Sequence, residues 1–131
     1  MERIVKFLQE CGIFYVATAD GAQPRVRPFG AISIIGGNMV LATNNTKAVY
    51  RQLTENPKIE ISATLPDMRW IRVTAETVLD DSFETKEQML ALNPVLTRMY
   101  RVDDGIFTTI RLTGGTAKLE AFGKAPEIIT F

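Results

Sequence analysis

Apolar and polar positions alternate along most of this chain with a period near two, and in three places the period lengthens to that of a helix. Ile4, Phe7, Leu8 and Cys11 recur at i, i+3, i+4 and i+7, which defines one apolar helix face, and Gly12 supplies a C-terminal stop. Ile13 to Ala19 is β-branched and aromatic, Asp20-Gly21 is a turn signal, and Arg25 to Ile35 is a second apolar alternating stretch, so a β-hairpin is predicted. Gly36-Gly37-Asn38 turns the chain again into Met39 to Thr43.

Thr46 to Glu55 then takes helical spacing, with Val49, Tyr50 and Leu53 on one face, and Asn56-Pro57 ends it. Lys58 to Leu65 and Arg69 to Leu79 read as strands on either side of Pro66-Asp67. Asp81 and Glu84 form a capping pair for a helix through Leu92, stopped by Asn93-Pro94. Ile106 to Leu112 and Thr116 to Phe122 read as a hairpin across Thr113-Gly114-Gly115, and the last nine residues carry no clear pattern. Six to seven antiparallel strands with short helices, and no βαβ alternation, most economically form a small barrel, because closure removes exposed edges. Pro28 cannot donate to a ladder, so its strand is an edge or is bulged there and the barrel is split. The expectation is a mainly β, split antiparallel barrel in a single domain, residues 1–131.

Composition narrows the chemistry. At 131 residues one domain buries about 65–70% of the unfolded chain's surface and needs no disulfide or metal staple. There is no histidine, so His-based nucleophile pairs, His-ligated zinc or haem and a His general base are excluded. Fifteen Lys+Arg balance fifteen Asp+Glu, which gives no cation excess for nucleic acid or an acidic membrane. The single Cys11 has no disulfide partner in the chain and no fellow thiolate for a metal; it reads as a small core hydrophobe in a reducing compartment. The N-terminal segment has no uninterrupted apolar run and no stretch approaches the roughly 20 residues of a membrane span, so a cytoplasmic location is expected.

Two local arrangements suggest an anion. Thr43-Asn44-Asn45-Thr46-Lys47 lies where a strand hands over to a helix, so free amide N–H groups, short polar side chains and the Lys47 charge converge there. Plain helix capping by Asn45 or Thr46 is the alternative. In PRVRPFG, Arg25 and Arg27 stand two apart on a strand and share a face, either solvated or neutralised by an anion that guanidinium groups grip in bidentate fashion. Trp70 shares a face with Arg72 and is placed either to stack on a planar ligand or to pack in a core or interface.

PRVRPFG, then LATNNTKAVYRQLTENPKIEIS, then RWIRV resembles the FMN-binding split-barrel family typified by pyridoxamine 5'-phosphate oxidase, most fully over residues 13–74. The resemblance implies a homodimer with the flavin at its interface. It implies that Arg25, Val26, Arg27 and Pro28 lie on the strand that contacts the phosphate and runs past the ring, and that Thr43 and Lys47 are phosphate ligands with Asn44 nearby. Trp70 takes the place of a glutamine near the ring. Two departures argue against pyridoxamine phosphate oxidation itself: Asn45-Thr46-Lys47 replaces a Ser-Arg-Lys run, and Arg111-Leu112-Thr113-Gly114 lacks the proline of the oxidases' substrate signature. The expected function is therefore FMN-dependent redox chemistry with no metal and no identified catalytic side chain. The alternatives are a non-catalytic flavin or tetrapyrrole carrier or sensor, a reductase using deazaflavin F420, and a ligand-free barrel dimer.

Overall fold

A computed structural model describes residues 1–131. Helix α1 (Glu2–Cys11) is followed by strands β1 (Phe14–Asp20), β2 (Gln23–Phe29), β3 (Ile32–Ile35) and β4 (Asn38–Asn44), helix α2 (Ala48–Glu55), strands β5 (Lys58–Thr64) and β6 (Trp70–Asp80), helix α3 (Phe83–Leu92), a 3₁₀ turn (Pro94–Arg98), and strands β7 (Phe107–Glu120) and β8 (Glu127–Thr130). All pairings are antiparallel, in the order β2-β1-β5-β6-β7-β4-β3 with β8 added beside β7. This is the split barrel that the alternation predicts, with eight strands rather than six or seven.

The inward positions of β5 and of most of β6 alternate with exposed ones, those of β1 with exposed or half-buried ones, and they form one core with the buried face of α1. Ile4, Val5, Phe7 and Leu8 fill the barrel from that helix, and Gly12, at φ 78°, ends it by donating its N–H to the Leu8 and Gln9 carbonyls. Cys11 is half-buried against this core, and burial, then the Glu10 charge, push its thiol pKa up, so it behaves as the small hydrophobe expected. A second, smaller core lies between β3, β4, α3 and the 3₁₀ turn: Ala31, Ile35, Val40, Met89, Leu90, Leu96, Tyr100 and Phe107.

Four local expectations change. The stretch 25–35 is two strands broken at Gly30-Ala31, and β2 is an edge strand, one of the two alternatives that Pro28 left open. Thr113-Gly114-Gly115 is no turn, because β7 runs straight through it along β6 and the ladder slips register between Glu76 and Thr77. A glycine is needed at 115 for close approach: a Cβ there would stand 1.9 Å from the Thr74 carbonyl oxygen. The cap of α3 is Ser82, which accepts from the Thr85 N–H, rather than Asp81 with Glu84. The final segment forms β8, tied to α1 by a paired Arg3 and Glu127.

Candidate functional site

A cavity of about 250 Å³ opens where β2, the start of α2 and the 3₁₀ turn meet. It is lined by residues 27–31 from β2 and the break after it, by Ala42, Lys47 and Val49, and by Val95, Leu96, Met99 and Tyr100 from the 3₁₀ turn and just beyond it. Its lining is mostly apolar, with two cationic side chains.

The surroundings of Arg27 explain why one of these cations is held still. Its Nη1 donates to the Val16 carbonyl (3.1 Å) and Thr18 Oγ1 (2.7 Å), and its Nη2 to Gln52 Oε1 (2.6 Å). Thr18 in turn donates to the same Gln52 oxygen at 2.6 Å. All three acceptors are neutral, and no carboxylate lies within ion-pair distance of Arg27 or of Lys47. Burial, then the charge of Arg25, pull the Arg27 pKa down, yet a guanidinium stays protonated at any ordinary pH. The cavity therefore carries two positive charges that the chain leaves without a counter-ion.

Of the other residues singled out by sequence, Pro28 and Lys47 also line this cavity and the rest do not. Arg25 pairs with Asp20 at 3.2 Å, and Asp20 also meets Arg51. Val26 is exposed on the opposite face of β2. Thr43 is buried at 2% exposure, and its Oγ1 has no hydrogen-bond partner. Asn44, also buried, accepts from the Thr46 N–H (3.0 Å) and Oγ1 (2.6 Å). Lys47 is the N-cap of α2 and no side chain caps that helix, so capping by Asn45 or Thr46 does not occur; the Tyr50 N–H donates to the Lys47 carbonyl at 3.1 Å, and the Ala48 and Val49 amides stay open. Trp70 begins β6, opposite Glu120 and Thr64, with its ring 5.2 Å from that of Phe122.

Sequence reasoning missed the wall made by Val95, Leu96, Met99 and Tyr100, because Asn93-Pro94 reads as the end of a helix. Pro94 at the first position of a short turn followed by apolar residues was the available signal. The Thr18–Gln52–Arg27 cluster had no local signal, since its members come from β1, α2 and β2.

The fold agrees with known proteins. The family model described as pyridoxamine 5'-phosphate oxidase matches residues 1–102. The chain belongs to the pyridoxamine 5'-phosphate oxidase-like family. A crystal structure of a nimC/nimA family protein from Clostridium acetobutylicum superposes with a TM-score of 0.97 at 44% identity, covering 100% of this chain and 92% of that one. A pyridoxamine 5'-phosphate oxidase-related, FMN-binding protein from Nostoc punctiforme shares the fold at a TM-score of 0.60 and 10% identity, over 96% of this chain and 90% of that one. A structure named F420 reductase shares it at 0.61 and 19%, over 82% and 91%. No curated protein matches the chain. No helix is long and apolar enough to cross a membrane, and no cluster of three or more His, Cys, Asp or Glu side chains is placed to hold a metal ion.

Proposed function

We propose that this member of the family binds FMN and acts as a small flavin-dependent oxidoreductase. The observation that carries the reading is the apolar cavity with Arg27 and Lys47 facing it and no carboxylate to neutralise them. A phosphate monoester supplies the missing charge, and the open amides at the start of α2 add donors of the right polarity. Thr43, which the family resemblance makes a phosphate ligand, lies outside the cavity lining, with its Oγ1 left without a partner in the chain. Arg25 extends the positive strand, and the backbone from Val26 to Pro28 borders the ring. Bound flavin supplies the hydride and electron chemistry, which suits a chain without histidine; the residues named here bind and orient it.

The functional unit in this reading is a homodimer. About 250 Å³ is small beside the ~300–1,000 Å³ of small-molecule sites, so one protomer encloses only part of a flavin. Beside the cavity, Tyr15 and Val26 expose apolar surface, at 50% and 67%, on the outer face of β1 and β2 together with Pro24 and Pro28. A second copy covering that face completes the site. Deazaflavin F420 is the second reading, because a fold neighbour carries that name. Its long anionic tail calls for more than the two side-chain cations that line this cavity, which favours FMN.

The test is direct. Protein purified from its native host is expected to be yellow, or to take up FMN on incubation; a colourless protein that acquires no flavin defeats the proposal. Parallel titration with F420 separates the two cofactors, and stopped-flow mixing of the loaded protein with NADH or NADPH separates a reductase from a passive carrier.

A further inference from the structure

Tyr100 is 93% buried, its ring stacked on Phe107 at 4.9 Å between centroids and 20° between planes, and it lines the same cavity as Arg27 and Lys47. The direction of its hydrogen bonding is fixed from two residues away. A backbone N–H can only donate, so the Asn44 atom that meets the Thr46 amide at 3.0 Å is the carbonyl oxygen, which also accepts from Thr46 Oγ1 at 2.6 Å. The other end of the Asn44 amide is then its NH₂ group, which donates to the Tyr100 hydroxyl at 2.8 Å. Tyr100 is therefore an acceptor in its one contact with the chain, and no acceptor in the protein takes its own O–H proton. A buried donor left without a partner is costly in an interior, and it is satisfied when a ligand supplies the acceptor.

We propose that Tyr100 is a ligand-binding residue whose hydroxyl donates to the anionic group held by Arg27 and Lys47, with Asn44 as the positioning residue that turns the O–H away from the chain. The chemistry recognised is a phosphate-type oxyanion. An oxyanion accepts from all three donors at once, whereas a ligand group that is itself a donor would confront two cations and an O–H. The same Asn44 amide links the start of α2 to the far wall of the cavity, so the anion is gripped from two elements that pack in different parts of the fold. This proposal rests on the anion site of the preceding section and adds a donor to it.

The experiment compares wild type with Tyr100→Phe, which keeps the ring and its stacking and removes only the hydroxyl. Affinities for FMN, riboflavin and inorganic phosphate are measured by flavin fluorescence quenching and by phosphorus NMR line broadening. FMN and phosphate are each expected to bind about 10- to 150-fold more weakly to the variant, the range of one lost hydrogen bond to a charged group, while riboflavin binding stays within about twofold. Equal weakening of FMN and riboflavin assigns Tyr100 to the ring or to packing and overturns the proposal, as does unchanged affinity for FMN and phosphate. If wild type binds phosphate but no flavin, the FMN reading fails and the phosphate comparison still decides Tyr100. Binding of neither overturns both.

Discussion

Replacing Arg27 with methionine is expected to separate ligand binding from folding. In the protein, Arg27 makes three hydrogen bonds, two from Nη1 and one from Nη2. Each contributes roughly 1 kcal/mol net, which taken alone predicts a loss near 3 kcal/mol. Two features reduce that loss. Thr18 keeps its 2.6 Å bond to Gln52 when the guanidinium goes, so neither side-chain acceptor is left orphaned. The cation is also partly desolvated with no carboxylate beside it, and burial already disfavours its charged form, so its removal relieves an opposing cost. Methionine fills the volume of the aliphatic stem. The net change is about 0–1.5 kcal/mol, or a fall in Tm of up to roughly 6 °C for a domain of this size. Binding responds more strongly. Loss of a charge-assisted contact to a phosphate is worth about 1.5–3 kcal/mol, a rise of roughly 10- to 150-fold in the Kd for FMN. Differential scanning fluorimetry of the apoprotein and fluorescence titration with FMN give the two numbers. An FMN affinity within twofold of wild type would remove Arg27 from the site, and a Tm lowered by more than about 10 °C would show that its hydrogen bonds hold the barrel together.

Lys47→Ala leaves a helix start that no side chain caps, and is expected to weaken FMN by a similar factor with almost no change in Tm; a large loss of stability in thermal melts would contradict the reading of Lys47 as a free cation. Val26→Asp places a charge on the exposed apolar face beside the cavity, and sedimentation should show monomer together with weakened flavin binding; a flavin-loaded dimer would refute the interface. Gly115→Ala forces a Cβ to within 1.9 Å of the Thr74 carbonyl oxygen, and urea unfolding should show a loss of about 3 kcal/mol or more; a neutral result would mean that the β6–β7 pair yields easily. Burial by itself would raise the pKa of Asp104, but N–H bonds from Phe107, Arg101 and Ile106 outweigh it and hold the carboxyl below the usual carboxylate range. A depressed folded pKa stabilises above the unfolded value near ~4 and is lost as pH falls through the folded one. Asp104→Asn should therefore flatten the loss of stability below about pH 4, and an unaltered acid profile would count against this role.

The alternation of apolar and polar residues is a local property, and it determined the parts of this protein that depend on local geometry. The face of α1, the burial pattern of β5 and β6, and the restriction of β2 by Pro28 to an edge or a bulge all follow from residue spacing and covalent constraint. The sequence also marked Arg27, Pro28 and Lys47, three residues that line one cavity, because a strand carrying arginines and a strand-to-helix junction are visible in one dimension. Gly114-Gly115 misled for a physical reason. Two glycines serve either a turn that needs positive φ or a strand whose neighbour comes too close for a side chain, and only the packing of β7 on β6 selects the second. Tertiary structure alone decided that Arg27 faces neutral acceptors while Arg25 finds Asp20, and that a 3₁₀ turn nearly seventy residues further along closes the cavity. Which charges are neutralised and which hydroxyl is left without an acceptor depend on contacts between distant segments. Periodicity assigns a residue to a face, and the folded chain determines what that face meets.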